Sequence, residues 1–175
     1  RLTGRGVPTG ASDVLITSGS QQALTLITTA LLDPGGVVAV ESPTYLAALQ
    51  AFRLADARVV PVPGDDDGLD PDALQATIRE HRPTLLYLVP TFANPTGRTM
   101  SRARRQAVVD IAAAHGLWVI SDLAYAEIYY GDEPTPSILE VPGAKEVAVE
   151  FTSMSKTYSM AGWRMGFAVG NPELI

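Results

Sequence analysis

Short apolar runs rich in valine, isoleucine and leucine recur along the chain at residues 13–17, 37–40, 58–62, 85–89, 117–121, 147–151 and 165–169. Several are apolar without strict alternation, the pattern of strands covered on both faces. Between them the apolar positions change to helical spacing: Leu24, Ile27 and Leu31; Leu46, Leu49 and Phe52; Leu74 and Ile78; Ala107, Val108, Ile111 and Ala112. The punctuation agrees. Asp33-Pro34-Gly35-Gly36 ends the first helix. Asp70 before Pro71 is an N-cap and first helical position, and Ser101 caps a helix that ends at His115-Gly116. Alternating strands and helices predict an α/β fold: a three-layer α/β/α arrangement with a mostly parallel seven-stranded sheet, right-handed crossovers placing helices on both faces. No internal repeat or linker interrupts the pattern, so residues 1–175 read as one domain.

Composition narrows the chemistry. With 46% apolar and 18% charged residues the chain is globular, not disordered. A net charge of −6 argues against nucleic acid as the main partner. The chain has no cysteine, which excludes disulfides, thiolate nucleophiles and thiolate metal sites. His81 and His115 are the two histidines, little material for a metal site or a Ser-His-Asp triad. Gly64-Asp65-Asp66-Asp67-Gly68 reads as a solvated acidic loop, because calcium loops need a longer ligand pattern. No apolar run is long enough for a bilayer and no signal peptide is evident, so the expectation is a soluble cytoplasmic protein with no membrane partner. Arg1 is not an initiator methionine, and residues 171–175 look like the start of a new element. The chain therefore reads as a piece of a longer protein.

In open α/β sheets ligands gather at the carboxyl ends of strands. Polar motifs follow strands here: Ser18-Gly19-Ser20, Glu41-Ser42-Pro43-Thr44-Tyr45, residues 91–97, residues 122–125 and Ser153-Met154-Ser155-Lys156. Together they outline a single site on one edge. Residues 17–22 form a small-residue turn opening a helix, either an ordinary cap by Ser18 or Ser20, the simpler reading, or a seat for an anion. Asn94-Pro95-Thr96-Gly97 taken alone is a turn. Asp122 either caps the next helix or holds a protonated ring nitrogen. Lys156 has no other charge around it between Glu150 and Arg164, which suggests burial. Burial and a nearby cation lower a lysine's pKa and make its amine nucleophilic toward an aldehyde. Arg164 is suited to a bidentate grip on phosphate.

In order and spacing, TSGSQQAL (17–24), PTY (43–45), NPTG (94–97), DLAY (122–125) and SMSKTYSMAGWRMG (153–166) resemble the class I/II aminotransferases of the PLP-dependent fold type I. The resemblance covers essentially the whole chain. It implies the pyridoxal 5′-phosphate (PLP) binding large domain of a transaminase that moves an amino group between an amino acid and a 2-oxo acid. Lys156, Asp122 and Tyr125 become the catalytic set. Lys156 forms the Schiff base and moves the proton, and Asp122 pairs with the pyridine nitrogen. Tyr125 and Asn94 hydrogen-bond the phenolic oxygen, and Tyr45 stacks on the ring. Ser20, Gln21, Ser153 and Arg164 bind the phosphate with help from Ser155. Pro95 and Pro43 become candidates for cis peptides. The family also implies a homodimeric parent with a second, smaller domain carrying a carboxylate-binding arginine. Up to about Trp118 the chain resembles 2-aminoadipate aminotransferases and the aminotransferase-like domains of GntR-type regulators. From about Ser121 it resembles alanine and LL-diaminopimelate aminotransferases, which leaves open whether the two halves share one lineage or meet at a junction. The alternatives within the resemblance are an effector-sensing PLP domain of a GntR-type regulator, a PLP-dependent lyase or decarboxylase, and a fragment that binds nothing.

Overall fold

The structure, a computed structural model, describes residues 2–175; Arg1, where the chain opens, lies outside the described residues. Strands β1 (Val14–Thr17), β2 (Val37–Ser42), β3 (Arg58–Asp65), β4 (Gly68–Leu69), β5 (Leu85–Leu88), β6 (Trp118–Asp122), β7 (Ala148–Ser153) and β8 (Gly166–Gly170) form one sheet in the order β1-β8-β7-β6-β5-β2-β3-β4. The stretch β7-β6-β5-β2-β3 is parallel, and β8 lies antiparallel between β1 and β7. The sheet has eight strands where the sequence pattern predicts seven. The extra strand is the two-residue return of the acidic turn onto β3, with Gly64 opposite Leu69 and Asp65 opposite Gly68. Two residues are too few to show a period.

The α/β reading holds, and alternation along each strand explains the three layers. Ala39, Leu86, Leu88 and Val119 face one core with Leu74 and Ile78 of α3 (Pro71–His81) and Val108 and Ala112 of α4 (Arg102–His115). Val38, Val40, Leu85, Tyr87 and Ile120 face the other with Ala23, Leu24 and Ile27 of α1 (Ser20–Leu31) and Ala48 and Phe52 of α2 (Leu46–Leu54). Both faces are apolar, so the strands read as runs. Each fully buried leucine, such as Leu74, contributes about 1.5–3 kcal/mol.

The helix ends follow the sequence signals. Asp70 Oδ1 accepts the Asp72 N–H at 2.9 Å ahead of Pro71. Ser101 Oγ accepts the Arg104 N–H at 3.2 Å, and Gly116 ends α4 in the left-handed region with φ +64°. Among the described residues no helix is long and apolar enough to cross a membrane.

Candidate active site

Because β1 and β7 run parallel, their carboxyl ends share one edge, and β8 starts there, with Gly166 opposite both Thr17 and Ser153. Gly166 has no room for a side chain: a Cβ would lie 2.9 Å from both the Gly19 backbone and the Thr152 carbonyl oxygen. This close approach draws the turn before α1, the short helix α6 (Met154–Thr157) and Arg164 together. The Ser42–Pro43 and Asn94–Pro95 peptides are both cis, as the resemblance suggests.

The ten residues named from the sequence converge. Ser20, Gln21, Tyr45, Asn94, Asp122, Tyr125, Ser153, Ser155, Lys156 and Arg164 line one cleft of about 180 Å³, together with Val89, Ala124 and Ala161. Its floor is Asp122, buried at the end of β6. Tyr87 Oη donates to Asp122 Oδ2 at 2.9 Å, while Oδ1 is buried with no partner. Burial pushes the Asp122 carboxyl up to about 6, against the pull of the Tyr87 hydroxyl and the Ala124 N–H. Turns, not a helix, follow β6 directly, so Asp122 caps none; its unpartnered Oδ1 is a strong acceptor.

Neither Ser18 nor Ser20 caps α1, contrary to the simpler sequence reading. The N-cap position is Gly19, at φ +79°, and no side chain caps it. A Cβ on Gly19 would come within 2.9 Å of Arg164 Nη2, so the glycine lets the guanidinium settle over the start of α1. A helix N-terminus without a side-chain cap, beside an arginine, is a seat for an anion. Ser153 Oγ accepts the Ser155 N–H at 3.2 Å, and Ser155 Oγ is buried with no partner.

Lys156 is exposed, not buried as its uncharged surroundings suggest, because α6 lies at the open rim of the cleft. Its Nζ stands 5.9 Å from the centroid of the half-buried Tyr125 ring, within cation–π range. Tyr45 is half-buried; burial first, then the Asp122 charge, raises its phenol pKa.

Three buried polar groups to which the sequence assigns no role support these residues. Tyr87 holds Asp122. Glu41 Oε2 accepts the Val89 N–H at 3.2 Å, with burial pushing its carboxyl up. Arg105 is fully buried and donates to the carbonyls of Met100 (3.0 Å) and Pro90 (2.6 Å) and to Thr91 Oγ1 (2.9 Å). Burial lowers its guanidinium to about 10. Glu41 and Arg105 fasten the loop that carries Asn94. The acidic turn lies beside it with Asp65 and Asp66 exposed, as expected of a solvated loop, and its carboxylates meet neighbouring donors. Asp66 pairs with Arg98 at 2.7 Å, Asp65 with Arg104 at 3.0 Å, and Asp67 accepts from Ser101 Oγ at 2.8 Å. Among the described residues no group of three or more acids or histidines could hold a metal.

The family model for "Aminotransferase class I and II" matches residues 2–175. The 2-aminoadipate transaminase of Thermus thermophilus is 41% identical over 167 residues, 93% of this chain and 41% of that protein. The LL-diaminopimelate aminotransferase of Nitratidesulfovibrio vulgaris is 38% identical over 94% of this chain and 43% of its own length. Each of these relatives matches across more than nine-tenths of the chain. Among solved structures, a probable N-succinyldiaminopimelate aminotransferase from Thermus thermophilus superposes with a TM-score of 0.90 at 34% identity, covering 99% of this chain and 47% of that one. An alpha-aminoadipate aminotransferase from the same species, complexed with N-(5′-phosphopyridoxyl)-L-leucine, gives 0.83 at 40% identity, over 93% of this chain and 42% of that one. The chain spans about two-fifths of the length of the curated relatives it matches. A cleft at the sheet edge, lined by all five sequence motifs, and a family match along its described length lead to one assignment: the chain belongs to the class I and II aminotransferase family.

Proposed function

We propose that residues 1–175 are the cofactor-holding large domain of a PLP-dependent aminotransferase acting on an amino acid and a 2-oxo acid. One observation carries this reading: the orphaned, buried Asp122 Oδ1 shares a cleft with Arg164 at the uncapped start of α1 and with the Lys156 amine. These three groups match three polar features of PLP: ring nitrogen, phosphate and aldehyde.

When bound, PLP would supply an electron sink conjugated to the substrate's α-carbon through its amino nitrogen. The chain's residues do the rest. Arg164, the first N–H groups of α1 and the hydroxyls of Ser20, Ser153 and Ser155 hold the phosphate, with Gln21 beside them. Asp122 Oδ1 would accept a hydrogen bond from the protonated ring nitrogen and so keep the proton on the ring. Tyr45 covers a ring face, while Asn94 and Tyr125 donate to the phenolic oxygen. Lys156 Nζ is the amine that would meet the aldehyde carbon and, once the substrate's amine has replaced it there, would be free to carry a proton between the substrate α-carbon and the cofactor's C4′. The proposal extends to a homodimeric, cytoplasmic parent, which rests on the family resemblance.

Product analysis of the full-length parent tests the reaction. With an amino donor and 2-oxoglutarate, the expected result is glutamate and the donor's 2-oxo acid in equal amounts. Release of ammonia and pyruvate without a new amino acid makes it a lyase instead.

A further inference from the structure

Tyr87 is fully buried on the α1/α2 side of the sheet, its ring edge-on to Phe52 at 5.7 Å and 73°. A phenylalanine would fill that apolar seat equally well. A buried hydroxyl is costly unless it is bonded, and the partner of this one is Asp122, 35 residues away in sequence. The bond takes up Oδ2 and so leaves Oδ1, the oxygen without a partner, as the free face of the carboxylate. The phenol can only donate to Asp122 while it keeps its own proton. Burial and the Asp122 charge ensure that, holding Tyr87 well above the ordinary tyrosine range.

We infer that Tyr87 is a positioning residue: it orients the Asp122 carboxylate and keeps its basicity low, so that a shared proton rests on the cofactor's ring nitrogen. This rests on the proposed pairing of Asp122 with that nitrogen. Without the phenol, the carboxylate loses a charge-assisted hydrogen bond in a site where water does not replace it. It becomes the stronger base and draws the proton off the ring. The other ionisable groups around the cleft are Tyr45, Tyr125, Lys156 and Arg164, with Glu41 near Tyr87. Substituting Tyr87 leaves all of them in place.

The test is Tyr87→Phe, which keeps the ring packing and removes one oxygen. In the cofactor-free chain, the Asp122 carboxyl is titrated by carbon-13 NMR. Its midpoint is expected to rise by about one pH unit in Tyr87→Phe. With PLP labelled with nitrogen-15 in the ring, the resonance is expected to move from the pyridinium toward the neutral pyridine position at fixed pH. An unmoved midpoint overturns the inference, even if the variant melts at a lower temperature, because that assigns Tyr87 a packing role only. Asp122→Asn separates the two claims. If the labelled resonance is the same in Asp122→Asn as in the unmutated chain, the pairing itself fails and the inference with it. If it moves in Asp122→Asn but not in Tyr87→Phe, the pairing stands and the inference alone fails.

Discussion

Lys156→Ala is expected to abolish the visible absorbance band that the chain develops when mixed with PLP. The band requires a covalent link to an amine, and the sequence holds two lysines, Lys145 and Lys156. Lys145 is engaged elsewhere: its Nζ lies 2.7 Å from Asp13 Oδ2 and 2.6 Å from the Pro8 carbonyl oxygen. It does not line the cleft. Because Lys156 is exposed at the rim, its truncation should change stability by no more than about 0.5 kcal/mol. A thermal melt thus separates loss of the link from loss of the fold. A band that persists in folded Lys156→Ala would contradict the assignment.

Asp122→Asn should have the second largest effect, with opposite signs in the loaded and empty chain. It keeps the shape but cannot hold a proton on the ring nitrogen as an ion pair. PLP binding is expected to weaken by about 10–100-fold, the value of a charge-assisted hydrogen bond in a buried site. The unmutated chain needs Asp122 ionised, so its affinity should climb as pH rises through about 6, and the substitution should remove that part of the pH dependence. Without PLP the trend reverses. The folded carboxyl titrates near 6 against 3.8 for the ordinary group, so between those values the unfolded chain gives up its proton first. Stability is therefore lost as pH rises across that window and stays lower above it. Empty Asp122→Asn should be more stable than the unmutated chain at pH 7, by up to roughly 3 kcal/mol, with the gain absent below about pH 4. Denaturant melts at pH 3.5 and 7 check this; an equal difference at both would contradict the buried-acid account.

The seven longer strands and four main helices were legible because both faces of the sheet are apolar and the caps at Asp70 and Ser101 are local signals. The residues of the candidate site were legible because each motif sits just beyond a strand end, where the parallel sheet gathers them. What stayed hidden depends on partners distant in sequence. In the run Arg102–Arg105 nothing marks Arg105 as the buried one; it becomes so because the Pro90 and Met100 carbonyls converge on it. Tyr87 reads as one more apolar strand residue until β6 brings Asp122 within reach. The Asp65–Asp67 turn, exposed at Asp65 and Asp66, carries no local sign of Arg104 and Ser101, which its carboxylates meet. The cap of α1 misled for another reason: two serines flank Gly19, yet the left-handed backbone there and the approach of Arg164 leave the helix end open.

On the proposed function, this cleft holds PLP through Lys156. Borohydride reduction of the chain mixed with PLP, followed by peptide mass mapping, tests it most directly. The expected result is one phosphopyridoxyl group, on Lys156, with Lys145 unmodified. Equal labelling of both lysines, or labelling of Lys145 alone, would contradict it.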